Sequence, residues 1–226
     1  MGWGSGDAKK AILNPASGGL RSCADGSSPF RGKDVLIDIS GLAHKAAKRD
    51  ATEVAQHGTS AEQQQYLRME LESIRGEGGR PVLVLDGRAY PPKFLTRQKR
   101  RTAASDAKKK AQHLAGDPTQ SKAAEKAWRD AARPEEPFWV WLLEECLRTE
   151  VRFIYSPYEA DAQLVATEAD IGSTAIIWAA ANDSDLVIFG GLDVVYDWKP
   201  VQRTYRRVKL FDDILGKVRQ LASFYI

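Results

Sequence analysis

Short apolar runs alternating with helix-length segments predict a three-layer α/β domain built on a central, mainly parallel sheet and carrying an inserted pair of charged helices. The runs at 35–39 (VLIDI), 81–85 (PVLVL), 151–155 (VRFIY) and 175–180 (AIIWAA) have the length of strands and are nearly continuous, as expected for strands buried on both faces. Strand–helix alternation gives right-handed parallel crossovers. Between 94 and 132 the chain turns Ala-, Lys- and Gln-rich, which marks the insertion.

In chain order, residues 13–33 are rich in Gly, Ser and Pro without a period and read as an irregular segment. The first strand follows at 35–39, and a helix at 61–76 is ended by Gly76, Gly78 and Gly79. The second strand closes on Asp86-Gly87. Residues 94–132, broken near Gly116-Asp117-Pro118, predict two charged helices with too few large apolar residues to enter a core. An apolar helix is expected at 138–147, the third strand at 151–155, a packed helix at 157–169 and the fourth strand at 175–180. Short strands at 186–188 and 194–196 and an amphipathic helix at 210–225 complete the reading. The expected divisions are an irregular segment at 1–33, a first half at 34–102, a helical insertion at 103–135 and a second half at 136–226.

The 226 residues suffice for one sizeable domain, and 43% hydrophobic with 28% charged residues is the composition of a soluble globular protein. No apolar stretch approaches the roughly 20 residues needed to span a bilayer, so no membrane partner is expected. The start, MGWGSGDAKK, lacks the order of a secretory signal. Cys23 and Cys146 form no metal or disulfide pattern and are expected to be free thiols. His44, His57 and His113 do not cluster in the sequence and receive no role. The tryptophans at 128, 139, 141, 178 and 198 are expected to pack.

Six carboxylates fall into a spaced set: Asp38, Asp86, the pair Glu159/Asp161 and the pair Asp183/Asp185. Each lies late in or just after an apolar run, where parallel sheets place their ligand crevice. Oxygen donors grouped in this way suit Mg²⁺ or Mn²⁺ and point to metal-assisted phosphodiester hydrolysis. Between 88 and 101 the chain carries Arg88, Lys93, Arg97, Lys99, Arg100 and Arg101 with no acid, and Lys108, Lys109 and Lys110 follow. Such a block beside a metal site is suited to holding a phosphate backbone.

Each feature also has a local explanation. Asp86-Gly87 is equally a turn. Ser156, Pro157 and Glu159 suit an N-cap, a first helical position and a capping box. Asn182 to Asp185 suits an Asx turn, and the basic run suits a solvated helix face. The second acid of each pair exceeds what those readings require.

Five segments together resemble the XPG/flap-endonuclease family of structure-specific 5′ nucleases, and within it the 5′-exonuclease branch: Met1-Gly2, VLIDISGLAHKAAK (35–48), PVLVLDGRAYPPK (81–93), SPYEADAQL (156–164) and ANDSDLVIFG (181–190). The resemblance covers roughly 34–200 and implies a PIN-like fold with a helical arch. It implies that Asp38, Asp86, Glu159 and Asp161 surround a first ion, that Asp183 and Asp185 hold a second, and that Asp161 lies between them. Lys93 and Arg100, seven and fourteen residues after Asp86, match the family's basic pair, which steers the scissile phosphate. Asp86, Asp183, Lys93 and Arg100 are then the residues on which catalysis rests, with two Mg²⁺ or Mn²⁺ ions as cofactors. Gly2, Arg88, Lys93, Arg97, Lys99, Arg100 and Arg101 would meet the nucleic acid.

The implied partner is DNA bearing a 5′ end, flap or junction, acted on by a monomer, with a nuclear location and a role in repair or replication. Two departures qualify this. The family continues past the position of Ile226 into a seventh carboxylate and a helix–turn–helix element, so the chain reads as C-terminally truncated. Residues 3–33 also replace an apolar helix with a Gly/Ser-rich stretch, which leaves the position of Gly2 open. A non-catalytic relative that binds nucleic acid or protein is the alternative. A PIN-type ribonuclease is a third reading, disfavoured by the basic arch and the PYEADAQ motif.

Overall fold

A computed structural model describes residues 21–22, 28–88, 91–180, 186 and 189–209. Among the described residues, seven strands form one sheet: β1 (Arg21–Ser22), β2 (Asp34–Asp38), β3 (Arg80–Leu85), β4 (Arg152–Tyr155), β5 (Ala175–Trp178), β6 (Asp193–Lys199) and β7 (Thr204–Lys209). The α-helices that accompany them there are α1 (Ile39–Ala47), α2 (Ala51–His57), α3 (Ala61–Gly76), α4 (Phe94–Leu114), α5 (Ser121–Ala131), α6 (Glu136–Thr149) and α7 (Ala160–Ile171). The sheet order is β1-β7-β6-β5-β2-β3-β4. β2 pairs in parallel with β3 on one side and with β5 on the other, so strand order reverses at β2. β4 and β6 extend the parallel set, and β7 and β1 close one edge antiparallel.

The period of two along each strand builds the three layers. Val35, Ile37, Leu83, Leu85, Ile176 and Trp178 face one core, filled by Leu42 of α1, Leu67 and Ile74 of α3, and Phe138 and Leu142 of α6. Leu36, Val82, Val84, Ala175 and Ile177 face the other, covered by Ala160 and Leu164 of α7. The expected α/β three-layer class is therefore what the chain adopts, and the four predicted strands and the helix at 61–76 are present.

Several local expectations are corrected. Ile39 opens α1 instead of ending β2, because Asp38 accepts the amide protons of Ser40 and Gly41 and caps the helix. The helix expected from 157 begins at Ala160. No capping box forms: the Ser156 hydroxyl donates to the Glu159 carbonyl, while the Glu159 side chain points to Lys93. Within the Gly/Ser-rich segment, Arg21 and Ser22 pair with Tyr205 and Thr204 of β7. The expectations for 210–225, for Cys23 and for most of 1–33 lie outside the described residues. Cys146 is a buried free thiol, and Trp128, Trp178 and Trp198 are buried. Among the described residues, no helix is long and apolar enough to cross a membrane.

The helical insertion does enter a core, against expectation. α4 and α5 form a hairpin whose Ala111, Ala127, Trp128 and Ala131 pack on Ala55 of α2. Small side chains let the helices approach closely, so one tryptophan suffices to fill the seam. Trp128→Ala should therefore cost about 3 kcal/mol, the lower range for a buried aromatic. Hydrogen exchange should show the loss concentrated in 94–131, with the sheet still protected.

Candidate metal and nucleic-acid site

The parallel strands end at a common crevice, and the sequence sends its acids there. Asp38 is the last residue of β2, Asp86 follows β3, and Glu159 and Asp161 flank the start of α7 after β4. Asp86 is bonded across chain segments: its Oδ1 accepts the amide proton of Ala160 (2.9 Å) and its Oδ2 accepts the Ser40 hydroxyl (2.9 Å). It thus satisfies the first amide of α7, which no residue of α7's own N-terminal turn caps. Gly87 is required beside it. Its amide donates to the Tyr158 carbonyl at 2.6 Å, and an added Cβ would lie 1.8 Å from the Ser156 carbonyl oxygen.

Asp38 lies deep in this crevice. Burial, then the neighbouring charges of Asp86 and Asp161, push its carboxyl up to about 7, against the opposing pull of the Gly41 and Ser40 amides. Asp38 therefore feels the charge of two neighbouring carboxylates. Glu159 stands apart from that repulsion, its Oε2 2.7 Å from Lys93 Nζ and its Oε1 4.0 Å from Arg97. Glu159 and Asp161 avoid the facing problem of i, i+2 positions because Glu159 is still extended while Asp161 is already helical. Among the described residues, no three acids or histidines are gathered into a ready-made cage. The donor chemistry nonetheless fits a hard divalent cation: all are carboxylates, and burial with the charges of Asp86 and Asp161 disfavours the charged form of Asp38 in a way that a cation would offset.

The basic residues lie on the adjoining hairpin. Lys93 ends a short 3-10 turn, and Arg97, Lys99, Arg100 and Arg101 follow on α4; all but Arg97 are exposed, as is Arg88. The sequence reading missed further members. His44 on α1 lines two cavities of about 550 Å³ each. One cavity carries Lys45, Lys48 and Lys199, the other Arg101, Lys108 and Arg133. Burial first, then Arg133, Lys48 and Arg100, hold the His44 imidazole below its ordinary value, with Asp86 opposing. Arg133 is likewise lowered by burial and by Arg100 and Arg101. Mutual repulsion of this kind marks a surface suited to a polyanion. The apolar spacing Ile39, Leu42, Ala43, Ala46, Ala47 was the available signal for α1 and for His44 on its outer face. Gly2, Asp183 and Asp185 lie outside the described residues.

Comparison with known proteins supports the same assignment. No family profile matches the chain. It is 30% identical over 168 residues to Exodeoxyribonuclease 1 of Schizosaccharomyces pombe, a match covering 74% of this chain and 28% of that protein. It is 28% identical over 168 residues to Exonuclease 1 of Drosophila melanogaster, covering 74% of this chain and 22% of that one. The chain thus spans about a quarter of the length of these curated relatives. The fold matches the catalytic core of Rad2 in complex with DNA substrate (TM-score 0.59, 16% identity, 90% of this chain and 53% of that one). It also matches human GEN1 in complex with Holliday junction DNA (TM-score 0.60, 14% identity, 95% of this chain and 46% of that one).

The raised Asp38 carboxyl gives a measurable pH dependence without metal. Between the ordinary carboxylate pKa and about 7 the folded protein binds a proton that the unfolded chain has released, so stability falls as pH rises through this window. Glu168, pushed up to about 7 by burial, acts in the same direction. In EDTA, the urea midpoint should fall from pH 5 to pH 8, and less steeply in Asp38→Asn, which retains the helix cap. An unchanged slope would remove Asp38 as its source. The acids at the strand ends and the motifs that carry them agree with these likenesses: the chain shares sequence with the exonuclease relatives over three quarters of its length and has a PIN-like α/β fold.

Proposed function

We propose that the chain is the catalytic region of a divalent-metal-dependent 5′ nuclease that hydrolyses DNA phosphodiester bonds and selects substrates by structure. The observation that carries this is the convergence of Asp38, Asp86 and Asp161 where strand order reverses, with Lys93 at the rim bonded to Glu159. Asp38, Asp86, Glu159 and Asp161 would hold a first Mg²⁺ or Mn²⁺, and Asp183 and Asp185 a second. Bound ions supply an activated water and stabilise the departing 3′ oxygen.

The remaining work belongs to the chain's own residues. Lys93 and Glu159 pair with each other at 2.7 Å. Lys93 would turn to the scissile phosphate, and Glu159 would be one of the carboxylates that hold the metal. Arg100, two turns along α4, would offset charge developing on the phosphoryl oxygens. Asp86 must keep its bonds to Ala160 and Ser40 so that the crevice holds its shape. Arg88, Arg97, Lys99 and Arg101, joined by Lys48, Lys108 and Arg133, would contact phosphates and fix register without reading bases. Gly2 would allow close approach of the chain's start to the nucleic acid. The partner is DNA with a 5′ end, flap or junction, bound by a monomer that acts in the nucleus in repair or replication.

A 5′-labelled flap duplex incubated with the purified chain in Mn²⁺ and in EDTA tests this directly. Metal-dependent cutting near the junction or the 5′ end is expected. Asp86→Ala should reduce cutting at least about 10³-fold, a loss of some 4 kcal/mol in transition-state stabilisation. Absence of metal-dependent cutting would overturn the catalytic reading.

Lys93→Ala separates chemistry from anchoring. It should lower kcat about 10²-fold with KM nearly unchanged, because its partner charge is strengthened in the transition state. A rise in KM alone would recast Lys93 as a phosphate anchor.

A further inference from the structure

Away from the crevice, near its last turn, α7 makes a second charged contact. Glu168 is 1% exposed, and its two carboxylate oxygens accept consecutive backbone amides: Oε2 that of Leu192 (2.7 Å) and Oε1 that of Asp193 (2.8 Å). Lys33 and Arg207 go to Asp193 instead. A neutral acceptor or water could take the same protons at lower cost than a buried carboxylate, so Glu168 asks for a reason beyond closing the sheet. The two amides end the β5–β6 connection, residues 179–192. That connection is fastened to α7 twice. Leu186, 1% exposed, packs in one core with Ala160 and Leu164 of α7, and Glu168 takes the far end. Between them the Gly191 amide donates to the Leu186 carbonyl at 2.9 Å, closing the segment on itself. An added Cβ at Gly191 would meet that carbonyl oxygen and Val194 Cγ2, each at 2.9 Å. Asp185 directly precedes Leu186 in the chain. Glu168 also follows Asp161 by two turns, on the same face of α7 and about 10 Å along its axis.

We propose that Glu168 is a positioning residue for the Asp183/Asp185 pair: it locks the connection that carries them along the helix that carries Asp161, and so sets the spacing between the two metal positions. The role rests on the nuclease reading and adds to it a part that lies at the amino ends of the strands, far from the reacting atoms. α7 acts as the ruler. Its head bears an acid of the first ion, and its last turns hold the strap for the acids of the second. Losing the strap loosens the connection from Leu186 onward, so the acids just before Leu186 meet their ion with less order. Asp38 and Asp86 reach the first ion from β2 and β3 and do not depend on the strap.

Mn²⁺ titration of the purified chain without DNA, followed by electron paramagnetic resonance and calorimetry, counts and ranks the bound ions. The wild type should bind two. Glu168→Ala should weaken the second about 10-fold, the lower end for groups that orient metal ligands from behind, and leave the first unchanged. Glu168→Gln keeps the shape and one acceptor; it should fall between, and it carries the test if Glu168→Ala does not fold. Gly191→Ala, which strains the same link from its other end, should repeat the Glu168→Ala result. Leu142→Ala, on α6 in the opposite core, lowers stability away from α7 and should alter neither constant. In flap cleavage, Glu168→Ala should need about 10-fold more Mn²⁺ for half-maximal rate and recover the wild-type rate at saturation.

The outcomes separate the two readings. A wild type that binds one ion, or a second constant unmoved by Glu168→Ala and Glu168→Gln, overturns the positioning role and leaves metal-dependent cutting untouched. Equal weakening of both ions, shared by Leu142→Ala, also overturns it and makes Glu168 a structural residue only. A second ion weakened in Glu168→Ala and Gly191→Ala, with no flap cleavage by any form, keeps the positioning role and removes the nuclease.

Discussion

The Asp86 carboxylate ties three chain segments at one point. It ends β3, accepts the leading amide of α7 and accepts the hydroxyl of Ser40 on α1. Asp38 repeats the device by capping α1. Both acids therefore sit at the positive ends of helices, where the backbone partly offsets their charge. Without those caps, anions as near one another as Asp38, Asp86 and Asp161 would drive the crevice open. The bonds that start two helices are the bonds that hold the acids together.

The two ends of the sheet show what is structural and what is not. At the amino ends, Asp34 and Asp193 are each matched by cations. Burial raises Asp34, but hydrogen bonds from Arg152 and Arg80 outweigh it and leave the carboxyl below its ordinary value. Asp193 is likewise raised by burial but lowered further by Arg207 and Lys33. At the carboxyl ends the balance reverses, with acids crowding acids in the crevice and cations crowding cations on the hairpin. Lys93 to Glu159 is the bond across that divide. Folding alone gives no reason to segregate charge in this way, and a ligand carrying both a cation and phosphates does.

The hairpin illustrates how packing and function are reconciled. Its alanines and Trp128 supply a seam narrow enough to leave most of both helix surfaces in solvent. That leaves Lys99, Arg100 and Arg101 exposed, while Arg101 and Lys108 line a cavity beside His44. A wider apolar stripe would have fixed the hairpin more firmly at the expense of its cationic surface.

The sequence alone determined the layers of the fold and the list of acids. Runs such as VLIDI and PVLVL can be satisfied only between two apolar layers, and acids at their ends can only fall at the crevice. It did not determine α1, because Gly41 and the continuous apolar run hid the helical period, nor β7, where Tyr205 and Val208 stand three apart and face opposite cores, so that no alternation shows. Pairing was decided in three dimensions. The local rules gave Glu159 a capping box, yet Lys93, 66 residues away, holds it instead, and the Ser156 amide that the box would use donates to the Leu85 carbonyl. The same holds for His44, whose cationic company comes from α1, α4 and the stretch after α5. Sequence spacing specifies which groups reach the end of each strand; only the packed sheet and hairpin decide which of them meet, because those distances are set by contacts between residues far apart in the chain.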